Sequence, residues 1–279
     1  MPTKKRLQIT PHDAVIFRYL FQHRMLRIDH LALLTGRSYE ALKHRLADLA
    51  GAGYLTCKKR PFQKHIFALG RGAVAQLVEQ GIVPKEMLTD RIRHQELKDL
   101  FLDHSMMVSD FHVALTVAGR AADFKIATWR QGEELKDHVT FRKRGGLETL
   151  CVWPDAFFTL EDSKTPARWH PIAFAYEAAR QRQSRRDRDK ILGYLNYFQQ
   201  GQHRSKYKVD TFRVVTETLT KARAKNLCTL AGEILPKPAR KFYLFTSLED
   251  FSPSAPETLL GTIAITPHDA HHRRLISGL

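Results

Sequence analysis

Cysteine is scarce and scattered: Cys57, Cys151 and Cys228 stand alone in 279 residues, with no Cys-x-x-Cys among them. An odd number at such separations argues against a disulfide framework and a zinc finger, so a reducing, cytoplasmic compartment is expected. No stretch approaches the roughly 20 apolar residues that a bilayer-spanning helix needs, so no membrane partner is expected. There is no glycine-rich phosphate loop, no Walker motif and no Gly-x-Ser-x-Gly turn, and no small-molecule substrate suggests itself. Low-complexity sequence is absent as well. Met1-Pro2-Thr3-Lys4-Lys5-Arg6 is basic but no apolar segment follows it, so it is read as a flexible arm rather than a targeting signal.

Acid is also in short supply. Against 45 Lys and Arg there are only 29 Asp and Glu, a formal net charge of +16. Such an excess draws the chain toward polyanions and makes nucleic acid the first partner to consider, although net charge says nothing about fold. At roughly 100–200 residues per domain, the length suggests two domains.

Residues 8–69 read as a winged helix-turn-helix. Thr10-Pro11-His12-Asp13 opens a helix, with Thr as the N-cap, Pro at the first helical position and an acid in the first turn. Val15, Ile16, Tyr19 and Leu20 then supply an apolar stripe at helical spacing. Ile28–Leu34 fits a second helix, Thr35-Gly36-Arg37 a tight turn, and Ser38 caps a third helix whose Leu42, Leu46 and Leu49 face inward. Gly51 and Gly53 end it. Two short strands follow, Tyr54–Cys57 and His65–Leu69, joined by a loop in which Lys58, Lys59, Arg60 and Lys64 place four cations in seven residues.

In this order of elements the third helix enters the major groove. Its outward residues are Ser38, Tyr39, Glu40, Lys43 and His44. Lys43 and His44 are placed to meet base edges or phosphates. Arg37 and Lys58–Arg60 are placed to hold phosphates, which position a protein without specifying sequence. Such proteins commonly pair two-fold on palindromic sites, so a homodimer on double-stranded DNA is expected.

The expected organisation is α+β. A winged helix over 1–82 and a linker over 83–93 precede an α/β domain over 94–248 with a mixed central sheet, and 249–279 form a tail with a short helix. Arg71–Gln80 continues the first domain as a helix, and Gln95–Ala118 reads as a long helix lying along a sheet. Strands are expected at Phe124–Trp129, Cys151–Leu160, Pro171–Ala178, Phe212–Thr216 and Lys241–Thr246. Helices are expected at Ile191–Gln200 and Leu219–Ile234, and Arg142–Gly146 as a basic turn. Ile9-Thr10-Pro11-His12-Asp13-Ala14 recurs as Ile265–Ala270, a helix-start signal used twice rather than a duplicated domain.

Two acids carry the chemical interest. Asp155, after Pro154, heads one strand and Glu177 ends the next. In restriction-type nucleases, Pro-Asp followed by a strand carrying Glu-x-Lys places two carboxylates on one Mg²⁺ with the lysine beside the attacking water. Here Ala179 stands at the lysine position. Arg180 is one residue out of phase and does not readily give up a proton. Lys190 on the next helix is the substitute candidate, and Glu133 an extra carboxylate. Asp155, Glu177 and Lys190 are therefore the catalytic candidates, the two acids also the metal candidates. The competing reading keeps the two acids as structural partners of nearby arginines, with no cofactor.

Between Arg180 and Lys190 lie six cations against two acids, with Arg180, Arg182, Arg185 and Arg186 candidates for phosphate contact. Tyr194, Tyr197 and Phe198 recur at helical spacing and read as core. His268, His271 and His272 read as surface histidines without a third metal ligand, and His104 as a half-buried helix residue.

The order of these features resembles the replication-relaxation family. The likeness spans about residues 10–246. It rests on the winged helix, Leu102-Asp103-His104, Trp129 with Glu133, Pro154-Asp155-Ala156, Tyr176-Glu177, Arg180 and the Lys190–Tyr194 helix. It implies a DNA-binding protein of plasmids or other mobile elements, joined to a nuclease-like domain and associated with replication or transfer. Family sequences usually carry an acid where this chain has Ala179, which weakens a metal site. Three functions follow as expectations. The first is a DNA-binding regulator or accessory factor whose nuclease-like half is inactive. The second is a Mg²⁺-dependent endonuclease or nickase using Asp155 and Glu177, and the third a protein-binding adaptor in a replication or conjugation complex.

Overall fold

A computed structural model describes residues 7–59, 63–83, 99–143, 145–162, 172–180 and 184–275. The chain divides into two compact units, Met1–Val113 and Ala114–Leu279, and the division falls inside the helix Asp99–Ala121. Nearly all of the expected 83–93 linker lies outside the described residues.

The N-terminal unit starts with α1 (Pro11–His23), where a capping box closes: the Thr10 side chain accepts from the Asp13 amide and the Asp13 carboxylate accepts from the Thr10 amide at 2.7 Å. Asp13 is fully buried and also accepts from Arg45 Nε at 2.9 Å, tying α1 to α3 (Tyr39–Gly51). The inward stripe of α1 departs from expectation. Ile16, Phe17 and Leu20 are buried while Val15 is 37% exposed, because Asp13 and its arginine fix the rotation of the helix.

A short strand that the sequence did not announce, β1 (Met25–Arg27), precedes α2 (Ile28–Thr35). Gly36, at φ 69°, ends α2 in the left-handed region that a Cβ disfavours, and turns the chain into α3. Ser38 caps α3, accepting from the Ala41 amide, and Leu42, Leu46 and Leu49 are fully buried. Strands β2 (Leu55–Lys58) and β3 (Ile66–Leu69) complete an antiparallel sheet in the order β1-β3-β2. Helix α4 (Arg71–Glu79) buries Ala73, Val74 and Leu77. Next comes α5 (Asp99–Ala121), whose Leu102 and Met106 pack with Met25, Ile66 and Ala68.

The second unit holds a seven-stranded mixed sheet. Its strands are β4 (Phe124–Arg130), β7 (Ala156–Asp162), β8 (Ile172–Ala179), β9 (Arg213–Thr218), β10 (Tyr243–Ser247), β11 (Ala264–Thr266) and β12 (Asp269–Arg273). They lie in the order β12-β11-β10-β9-β8-β7-β4, with β8, β9 and β10 parallel and the remaining pairs antiparallel. Helices α6 (Ser184–Gln199) and α8 (Lys221–Ile234) supply Ile191, Tyr194, Tyr197, Ala224, Leu227 and Ala231. These form one core with Phe157, Ala173, Ala175, Val214 and Phe245 of the strands. Helix α7 (Gln202–Tyr207) lies between α6 and β9.

Three expectations fail here. The single strand expected over 151–160 is two: β6 (Gly146–Val152) pairs with β5 (Asp137–Lys143) as a separate hairpin, and the chain breaks at 153–155 before β7. Pro154 lacks an amide donor, so the ladder stops at that point. Helix α6 spans Ser184–Gln199 rather than opening at 191, so Arg185, Arg186, Arg188 and Lys190 of the basic run lie on the helix rather than ahead of it. Arginine is a good helix former and the apolar repeat further along supplies the packed face. Finally, Thr266-Pro267-His268-Asp269 does not open a helix. It turns β11 into β12, Thr266 Oγ1 accepting from the His268 amide at 3.0 Å. Pairing of β11 with β10 overrides the local signal that does start α1, and the expected helix in the tail is reduced to a 3₁₀ turn, Pro256–Leu260.

Candidate functional site

Two groups of candidate residues are placed by these folds, one in each unit. On α3 the inward leucines leave Ser38, Tyr39, Lys43 and His44 exposed on the opposite side, and Tyr39 is 44% exposed. Lys43 leans on Glu40 across one turn at 3.7 Å, a contact open to solvent on both sides and therefore weak. Arg37 is half-buried, Lys59 exposed and Lys58 half-buried, while Lys64 pairs with Asp29 at 2.7 Å. Arg60 lies outside the described residues.

The other polar groups of this unit hold it together. Arg27 and His30 both contact Asp110, at 2.7 Å each. Asp29 lies below the usual carboxylate range, since Lys64 and Arg27 outweigh its burial. His23 and His112 meet with ring centroids 3.8 Å apart and their planes tilted by 36°. Burial pushes His23 down to about 3 and His112 well below its ordinary value, each ring reinforcing the loss through a neighbouring imidazole.

In the second unit the site grows from the sheet. Asp155 stands just ahead of β7: its amide donates to the Tyr176 carbonyl at 3.0 Å and its carboxylate accepts from the Ala178 amide at 2.8 Å. Asp155 is thereby fixed against the carboxyl end of β8. Glu177 is 2% exposed and shares the strand face of Ala173, Ala175 and Ala179, toward α6. One of its oxygens accepts from Lys190, the other from the Tyr194 hydroxyl at 2.5 Å. Four side chains thus meet at one end of the sheet, from the β6–β7 connection, β8 and α6.

The electrostatics follow from burial. Desolvation pushes the Glu177 carboxyl up and Asp155 adds to the rise, against the pull of Lys190. Burial alone would lower Lys190, but the Glu177 and Asp155 carboxylates hold it above its ordinary value. Burial beside Glu177 pushes the Tyr194 phenol well up, so it stays a neutral donor. Lys190 keeps 34% of its side chain exposed and so forms the solvent side of the cluster.

Other candidates stand apart. Arg180 follows β8, its amide donating to the Ala178 carbonyl at 3.2 Å. Arg185 and Arg186 are exposed on α6, Arg186 close enough to act on Lys190, and Arg182 lies outside the described residues. Glu133 sits on an exposed 3₁₀ turn with Lys136 at 3.9 Å. Among the described residues no three His, Cys, Asp or Glu are grouped to share a metal ion. His104 is half-buried, Tyr197 is core, and Tyr194 is both core and hydrogen-bond donor. The sequence placed Tyr194 by its apolar spacing alone. Only the pairing of α6 with β8 reveals its hydroxyl's target.

A family model matches residues 17–212. The chain belongs to the replication-relaxation family. Neither the curated proteins nor the solved structures gave a match. Membership ties this replication-relaxation protein to replication or to mobile elements, and so to a DNA-related role. Among the described residues no helix is long and apolar enough to cross a membrane.

Proposed function

We propose that this replication-relaxation protein binds duplex DNA of a plasmid or other mobile element, as a regulator or as an accessory factor of replication or transfer. In this reading the N-terminal unit is a winged helix that reads the site, and the α/β unit adds backbone contacts through α6. The observation that carries it is the outer face of α3, where Ser38, Tyr39, Lys43 and His44 are all exposed over three fully buried leucines. Support comes from the order helix, strand, helix, helix, strand, strand with the ladder β1-β3-β2, which is that of a winged helix. A homodimer would set two α3 helices about one DNA turn apart, roughly 34–36 Å.

Fluorescence anisotropy with a labelled duplex tests the reading. Binding should weaken steeply with salt, and Lys43→Ala should lower affinity about tenfold and the salt slope by about one. Unchanged affinity in that variant would remove α3 from the interface.

One observation favours a second reading, Mg²⁺-dependent cleavage by the α/β unit. Lys190 reaches Glu177 from α6 while Ala179, two residues after Glu177 on the same face, carries only a methyl group. In this reading Lys190 of the covering helix would stand in for the lysine of the Glu-x-Lys pattern. The run of antiparallel β4, β7 and β8, then α6 and the parallel β9, is nuclease-like in order. Two carboxylates are donors of the type a hard cation takes, with water filling its other positions, so Asp155 and Glu177 would be the residues to hold Mg²⁺, the Lys190 ammonium being displaced from Glu177. The bound ion would polarise a phosphate. The chain's own part is to orient the two carboxylates through the Ala178 amide and the Tyr194 hydroxyl, and to keep a cation at the solvent side. A plasmid-nicking assay with Mg²⁺ or Mn²⁺ separates the readings: cleavage present in the wild type and absent in Asp155→Ala supports catalysis.

A further inference from the structure

We infer that Trp153 is a stacking platform for an unpaired nucleobase, so that the α/β unit takes a single-stranded DNA segment beside the Asp155–Glu177–Lys190 cluster. The inference rests on the DNA-facing reading of that unit but not on catalysis.

Trp153 lies two residues before Asp155, in the connection between β6 and β7. It is 41% exposed, although both chain neighbours, Val152 and Pro154, are buried. The ring is held in place. Its indole N–H donates to the Gly132 carbonyl at 3.0 Å, and the Lys136 ammonium stands over the ring, 4.9 Å from its centroid. The backbone of Lys136 is anchored in turn, its carbonyl accepting from Lys206 at 2.6 Å and its amide donating to Glu133. Gly132, at φ 103°, adopts a conformation that side-chain-bearing residues avoid, which presents its carbonyl to the indole.

An exposed tryptophan alone is ordinary. This one has its only polar atom satisfied and its orientation fixed by two contacts, the Gly132 carbonyl and the Lys136 ammonium, so the ring it presents is flat, apolar and pre-ordered. That is what a nucleobase stacks on, and every base offers a π face, so the platform would be tolerant of sequence. Its position supplies the second half of the argument. β4 pairs with β7 so that Arg130 lies opposite Phe157, which brings the segment after β4 to the same sheet end as Asp155. A base seated on Trp153 would carry its backbone phosphate toward the end of the sheet where half-buried Lys190 reaches solvent. A base within a duplex is already stacked on both faces and gains nothing there, so the platform selects unpaired strand.

The experiment uses the full chain at low salt, with an oligothymidylate of about twelve nucleotides, a duplex of the same length and an oligouridylate as probes. The oligothymidylate should quench part of the intrinsic fluorescence. Trp153→Phe should remove that part while binding within roughly threefold of wild type, because phenylalanine still stacks. Trp153→Ala should bind the oligomer about tenfold more weakly and the duplex as before, with an unchanged thermal midpoint. Quenching that survives in Trp153→Phe, an equal loss on both DNA probes, oligomer affinity unaffected by Trp153→Ala, or tighter binding of the oligouridylate would each overturn the inference. Lys43→Ala should leave the oligothymidylate arm untouched, so a failure of duplex reading through α3 registers separately.

Discussion

The two units bury polar groups to different ends. In the N-terminal unit Asp13 with Arg45, His23 against His112, and Asp110 with Arg27 and His30 each link one element to another. None of these groups lies on the outer face of α3. In the α/β unit the buried polar groups converge instead: Asp155, Glu177, Lys190 and Tyr194 meet at one sheet end, with Lys190 reaching solvent. Buried charge used as fastening leaves its surroundings indifferent to ligand, whereas convergent carboxylates and a cation create a place for one. The contrast also gives the units opposite responses to pH.

The largest expected effects come from breaking one pair in each unit. Asp13→Ala removes the capping box and strands Arg45, and should cost the N-terminal unit about 3 kcal/mol in urea unfolding. Oligonucleotide binding by the α/β unit should not change. Lys190→Met leaves the Glu177 carboxylate buried without its cation, at a cost of about 3 kcal/mol near pH 8. That cost should vanish on acidification, because the raised carboxyl takes up a proton and no charge is left to compensate. A cost independent of pH would mean that Lys190 acts by packing.

Acid should act the other way on the N-terminal unit. His23 titrates at about 3 when folded and at 6.5 ordinarily, so between those values the unfolded chain binds the extra proton. The stability is complete above 6.5 and declines as the pH falls toward 3, by about 2 kcal/mol at pH 5. Denaturant midpoints measured from pH 7 to 5 check this, and His23→Gln should reduce the dependence, leaving the part that buried His112 supplies. The smallest effect belongs to Lys64→Ala. Its exposed contact with Asp29 should be worth under about 0.5 kcal/mol in stability, so a clear loss of DNA affinity in that variant would reveal phosphate contact.

Much of this was legible in the chain. Thr10–Asp13, Ser38 and the leucines of α3 are local signals, and local hydrogen bonds realise them. Asp155 and Glu177 were visible because strand patterns frame them, and Lys190 because a missing lysine at Ala179 invites a search nearby. What escaped depends on contacts distant in sequence. β1 is three residues long, too short for alternation to show, and exists through its pairing with β3. The turn at Thr266–Asp269 repeats the residues that start α1, yet sheet pairing decides it. The Tyr194 hydroxyl and the fixed ring of Trp153 depend on partners 17 and 21 residues away.

The central claim, that α3 reads duplex DNA, is tested most directly by methylation interference on DNA flanking the protein's own coding sequence. The account predicts that methylating guanine N7 within a discrete site blocks wild-type binding, and that this interference is lost in Lys43→Ala/His44→Ala together with about a hundredfold of affinity. Tight wild-type binding with no interfering guanine, or full affinity in the double variant, would contradict it.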